Sequence, residues 1–272
     1  MNDYEQTQGQ ARRATARRQF LYAATATGAG AALAAMAPLP ARALSSPAAP
    51  AAAGRCGESV QEIIDTALVA ERLATTFYYT GLTTAAIAGN RKVAGYGANP
   101  NAVSRDGDRA NAAYLQAALD QEHKHAQILG QAGATSPVDR FYFPAATFSE
   151  LGYTSHPGTF LWAIDHLETA FIGAYLAAIR RFGALGRFDL ALLSARFLGV
   201  ECEHRALYRV IAGDDPADNV TLEVADFGCV ADAATVLRPF LTGHGFPGGA
   251  TRAVSLPSPE RVARAVGKNR SA

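Results

Sequence analysis

Two short steps of the same form stand out for the chemistry they could do. They are Glu122-His123-Lys124-His125 and Glu201-Cys202-Glu203-His204, each a Glu-x-x-His. On an α-helix each residue turns the direction by about 100°, so a Glu and a His three apart share one face, a turn apart. A carboxylate and an imidazole placed in this way bind one metal ion or straddle two. The residues between them, His123 and Lys124 or Cys202 and Glu203, turn to the flank or away. One further glutamate precedes each step on its own helical pattern, Glu71 before the first and Glu168 before the second. Four carboxylates and two imidazoles on four helices form the ligand set of a dinuclear metal site inside a four-helix bundle.

Oxygen-rich sites with few imidazoles suit iron and manganese. Two divalent ions would balance the four carboxylate charges. Without them, four acidic groups among apolar neighbours would repel, lose hydration and in part take up protons. The neighbours expected in that core are Leu68, Phe77, Leu119, Ile128, Phe171, Ile172, Leu198 and Leu207. One Glu-x-x-His alone is more often a surface pair, and one Glu on an amphipathic helix is usually solvated. Here the four elements recur in the order Glu, Glu-x-x-His, Glu, Glu-x-x-His, which ties them together. Tyr78 and Tyr175 each follow a glutamate by seven residues. They read either as core aromatics with a satisfied hydroxyl or as phenols bonded to the metal ligands. Asp165 is a candidate to orient a ligand imidazole.

The elements that must position these groups are helices. Ser59-Val60-Gln61-Glu62 is a capping box, and apolar residues then recur at helical spacing to about residue 88. Residues 89–107 are rich in Gly, Asn and Pro and read as a loop. A second helix is expected over 108–131, a third over 159–182 and a fourth over 189–212. Between the second and third lies a long connection with Phe141, Tyr142, Phe143, Phe148 and Tyr153, expected to pack across the bundle. A short fifth helix is expected over 229–241 and a helical scrap over 260–266. No strand pattern is evident, so the fold class is all-α. The two Glu-to-Glu-x-x-His halves read as two hairpins about an approximate two-fold axis.

The ends of the chain carry other information. Arg17-Arg18-Gln19-Phe20-Leu21 opens an uncharged run rich in Ala and Gly, and Ala41-Arg42-Ala43 offers small residues before a cut. Residues 1–43 therefore read as a cleaved twin-arginine signal peptide, with the twin-arginine export machinery as partner and a periplasmic or extracellular destination. Residues 44–56 read as a flexible leader, 57–241 as the bundle and 242–272 as a C-terminal extension. The net charge of +1 in 272 residues argues against nucleic acid as a partner. The three cysteines, Cys56, Cys202 and Cys229, have no metal-binding spacing, and in an exported protein Cys56 and Cys229 could pair.

In these motifs the chain resembles the ferritin-like superfamily, above all exported ferritin-like domain proteins and the related desiccation-related proteins. Glu71, Glu122, His125, Glu168, Glu201 and His204 fall on the six ligand positions of that pattern. The resemblance implies a pair of iron ions (or manganese) and redox chemistry with dioxygen or hydrogen peroxide, of the ferroxidase or peroxide-detoxifying type. The alternative it leaves open is a metal-binding or stress-protection protein without turnover. A homo-oligomer is compatible with the family. The loop at 89–107 and the C-terminal extension would change the outer surface on which ferritin shells are built.

Overall fold

The computed structural model describes residues 56–84, 86–87, 107–214, 217–218, 220–223, 227–246 and 249–267. The expected signal peptide, nearly all of the expected leader and most of the loop expected at 89–107 lie outside the described residues. The first helix, α1, spans Val60–Thr83 and starts on the expected box. The Ser59 hydroxyl accepts from the Glu62 amide, and the Glu62 carboxylate accepts from the Ser59 amide at 2.8 Å. The helix stops five residues before the expected end. Thr83 and Thr84 close it with hydroxyls turned back onto the Tyr79 and Thr80 carbonyls, a local bond that competes with continued helix.

Three more long helices follow, α2 Gly107–Gln131, α3 Phe160–Ala184 and α4 Phe188–Ala212. A shorter α5, Val230–Thr242, and α6, Pro259–Gly267, complete the helices among the described residues. These bounds fall within two residues of those read from the sequence. α1 packs along α2 and α3 along α4, so the two halves of the internal repeat are two hairpins. α5 lies on α3 and touches α1, while α6 lies on α2 and α1.

The expectation of no strand is corrected in one place. β1, Arg140–Pro144, pairs antiparallel with β2, Thr251–Ser255, in the register Tyr142 to Ala253. The two segments are short and far apart in sequence, and β2 exposes most of its side chains. A two-stranded ribbon of this size is marginal alone. Phe141 and Phe143 of β1 are fully buried and carry it by packing on the bundle.

The long connection between α2 and α3 does pack inward. Phe143 and Phe148 surround Phe77, which stacks on Phe160 at 4.5 Å. Tyr153 stays outside, 45% exposed. Gly81 lets α1 approach this cluster, because a Cβ there would meet the Phe160 ring at 2.3 Å. Of the expected core residues, Ile128 is a correction. It lies on the outer face of α2 and is 37% exposed. Leu198 and Leu207 are only half-buried. Cys56 and Cys229 form a disulfide, with Cα atoms 5.3 Å apart, that ties the entry of α1 to the entry of α5.

Candidate metal centre

The six residues singled out by spacing converge. Glu71 comes from α1, Glu122 and His125 from α2, Glu168 from α3, and Glu201 and His204 from α4. All six are buried. They form two overlapping groups whose ligand atoms lie within 4.8 Å of one another. One is Glu71, Glu122, His125 and Glu201; the other is Glu122, Glu168, Glu201 and His204. Glu122 and Glu201 belong to both.

The imidazoles face inward through Nδ1. His125 Nδ1 is 3.3 Å from Glu71, 3.5 Å from Glu201 and 4.0 Å from Glu122. His204 Nδ1 is 2.7 Å from Glu122, 3.4 Å from Glu201 and 3.7 Å from Glu168. Three spacing along one helix brings each His beside its own Glu, and two neighbouring helices supply the others.

The two tyrosines cross the repeat. Tyr78, on the helix of Glu71, donates its hydroxyl to Glu168 at 2.6 Å. Tyr175, on the helix of Glu168, donates to Glu71. Burial and the adjacent carboxylates push both phenols well above their ordinary range, so they stay protonated and act as donors. Each fixes one carboxylate that belongs to a single group.

The orienting role expected of Asp165 is corrected. Asp165 accepts from the Tyr208 hydroxyl at 2.5 Å and lies 3.6 Å from Arg209 Nε, which commits it to a partly exposed network beside the site. Gln121 does what was sought there. Its Oε1 lies 2.9 Å from His204 Nε2. An amide oxygen only accepts, so Nε2–H is the donor in this contact and Nδ1 is the ring nitrogen turned to the site. His125 is held differently, by the Phe197 ring stacked on it at 4.0 Å. Neither Gln121 nor Phe197 was found from spacing. The available signal was position, one residue and four residues before a ligand-type glutamate.

The flanking residues stay outside. His123 bonds Gln127 at 3.0 Å, Lys124 pairs with Asp120, and Cys202 points to Glu223. Burial first, and then Glu223, push the Cys202 thiol up to about 11.

The electrostatics describe a cluster short of positive charge. Burial, and next the charge of Glu201, push Glu122 and Glu168 well above the usual carboxylate range. Burial also opposes ionisation of Glu201, yet its contacts with His125 and His204 outweigh that and hold it at about 2. Burial lowers His125, but Glu201 and Glu71 together raise it to about 10.

Apart from these imidazole–carboxylate approaches, six buried atoms here make no hydrogen bond: both oxygens of Glu122 and Glu201, Glu168 Oε2 and His204 Nδ1. Each such orphan costs about 1–3 kcal/mol, and native proteins keep them few. All six are electron-pair donors turned to one spot. That arrangement fits cations, and the fold and its buried Glu and His clusters could hold metal ions.

A family model for the ferritin-like domain matches residues 59–214, a span that takes in the four long helices and all six converging side chains. No curated protein and no solved structure matches the chain. With more than half of its length matched, and with an all-α bundle of two hairpins to go with it, the chain belongs to the ferritin-like domain family.

Proposed function

We propose that this is an exported dinuclear metal protein whose two iron or manganese ions carry redox chemistry with dioxygen or hydrogen peroxide. The observation behind it is the pair of overlapping groups with Glu122 and Glu201 in common. Glu71 and His125 would complete the set for one ion, Glu168 and His204 for the other. Ions of variable oxidation state bound there would supply the electrons that dioxygen or peroxide takes up. The chain contributes the rest. Tyr78 and Tyr175 hold the two carboxylates that serve one ion each. Gln121 fixes the tautomer of His204. Phe197, Phe171 and Leu119 are buried and keep the surroundings apolar, which strengthens charge interactions at the centre.

The export reading rests on the first 43 residues. A twin-arginine route suits a protein that folds around its metal before leaving the cytoplasm. The Cys56–Cys229 disulfide is in keeping with an oxidising destination.

Metal content decides the first part. Protein from its native host is expected to hold iron or manganese close to two ions per chain, Glu122→Ala to lose both and His204→Ala to lose one. A preparation that holds none, and takes up none on reconstitution, refutes the proposal. Ferrous iron with dioxygen, or hydrogen peroxide, added to loaded protein decides the second part. Protein that binds metal but turns over neither is a metal-binding protein only.

A further inference from the structure

Beside the carboxylates lies a cavity of about 30 Å³ lined by α1, α2, α3, α4 and α5. Its lining is almost wholly apolar and includes Ile64, Leu129, Ala178, Leu190 and Val230. Two further lining residues connect it to the site. Tyr175 donates its hydroxyl to Glu71, and Phe197 stacks on His125. Their rings meet edge to face at 5.8 Å and form the partition between the cavity and the Glu71–His125 side.

We propose that this cavity is a binding site for dioxygen, a small apolar gas, placed to feed the Glu71–His125 side of the centre. The proposal deepens the redox reading and rests on it for the use made of the gas, not for the binding. Size is the first argument. A single water needs roughly 10–15 Å³ of such space, so this volume admits a molecule of two heavy atoms and little more. Polarity is the second. Water holds a buried place only with about two to four polar partners. Among the polar lining groups, the Thr66 hydroxyl is committed to the Glu62 carbonyl and the Tyr175 hydroxyl to Glu71, which leaves Ser194. Such a lining offers a water few partners, and apolar cavities of this kind take up xenon and similar guests.

The third argument is asymmetry. Phe197 stands four residues before Glu201, and the matching position before Glu122 is Ala118. The apolar partition is thus a property of one half of the repeat.

The test uses the mature full-length chain. Methyl groups of Ile64, Leu129 and Val230 are followed by NMR under dissolved dioxygen, and xenon is located in pressurised crystals. Dioxygen is expected to relax these methyls far more than surface methyls, and xenon to sit among them. Ala174→Val adds two carbon atoms to the lining and is expected to abolish both signals; Ala67→Val is a second filling variant should the first fail to fold. In metal-loaded protein, filling is expected to raise the KM for dioxygen several-fold, with kcat at saturating dioxygen and peroxide consumption unchanged. Methyls that relax no faster than surface ones, no xenon in the wild-type cavity, or an unchanged KM in the filled variant each overturn the proposal. Loaded protein that consumes neither dioxygen nor peroxide refutes the redox reading, while the relaxation result still judges the cavity.

Discussion

Replacing Gln121 by Leu tests whether the centre is built for metal at the level of single atoms. The change keeps the side chain's bulk but removes the acceptor for His204 Nε2, 2.9 Å away. His204 is buried, so its ring N–H would lose its partner with little access to water. An orphaned buried donor costs about 1–3 kcal/mol. Loss of the group that orients a ligating histidine lowers metal affinity by about 10–100-fold, or roughly 1.4–2.8 kcal/mol. The two estimates agree. The matching position in the other hairpin, one residue before Glu201, is Val200, so His125 has no such partner to lose there. Gln121→Leu is therefore expected to weaken one ion and spare the other. Titration with manganese or cobalt against a competing chelator reads this directly, as two steps where the wild type shows one tight phase. Equal weakening of both ions, or of neither, would refute the argument from Gln121.

Three other outcomes follow from the same geometry. Metal uptake at neutral pH is expected to release roughly three protons per chain, from Glu122, Glu168 and His125, since ligation needs the deprotonated forms. Apparent affinity should then fall as pH falls, and an indicator-dye titration showing no proton release would count against the assignment. Glu122→Ala removes a group common to both clusters and should empty the protein of metal, whereas Glu168→Ala leaves the Glu71 cluster whole and should retain about half, by elemental analysis. Serine at both Cys56 and Cys229 opens a link spanning 173 residues and should cost up to about 5 kcal/mol on the chain-entropy view, visible as a lowered Tm. A Tm unchanged by that double substitution would mean that packing alone holds α5 against α3.

What could be read from the sequence was whatever has a period or a fixed offset. The capping box at Ser59, the helical spacing of α1 to α4 and the Glu-x-x-His offset depend on neighbours within one turn or two. They gave the helix bounds and the six convergent residues. Ile128 has an apolar side chain and lies on the same helix as Glu122, yet helix phase puts it outside. The pairing of β1 with β2 depends on segments more than 100 residues apart, with nothing periodic to announce it. Asp165 shows the limit for side-chain networks. Its distance from Glu168 along α3 was visible, but the hydroxyl that takes it, that of Tyr208, comes from a facing helix.

The internal repeat also explains why the ligands could be found and their supports could not. The two hairpins present the same donors to the centre, because the donors must meet one another across the axis. The residues behind the donors meet no such demand and differ between the halves. Gln121 faces His204 where the repeat offers Val200, and Phe197 covers His125 where the repeat offers Ala118. One side is anchored by a hydrogen bond and the other by an aromatic ring with an apolar cavity behind it. A hydrogen-bonded imidazole is held in direction and tautomer, whereas a stacked one keeps its plane but can slide within it. The two halves of a symmetric ligand set thus sit in unequal surroundings, and the inequality places the more firmly held imidazole at His204 and the apolar cavity on the side of His125.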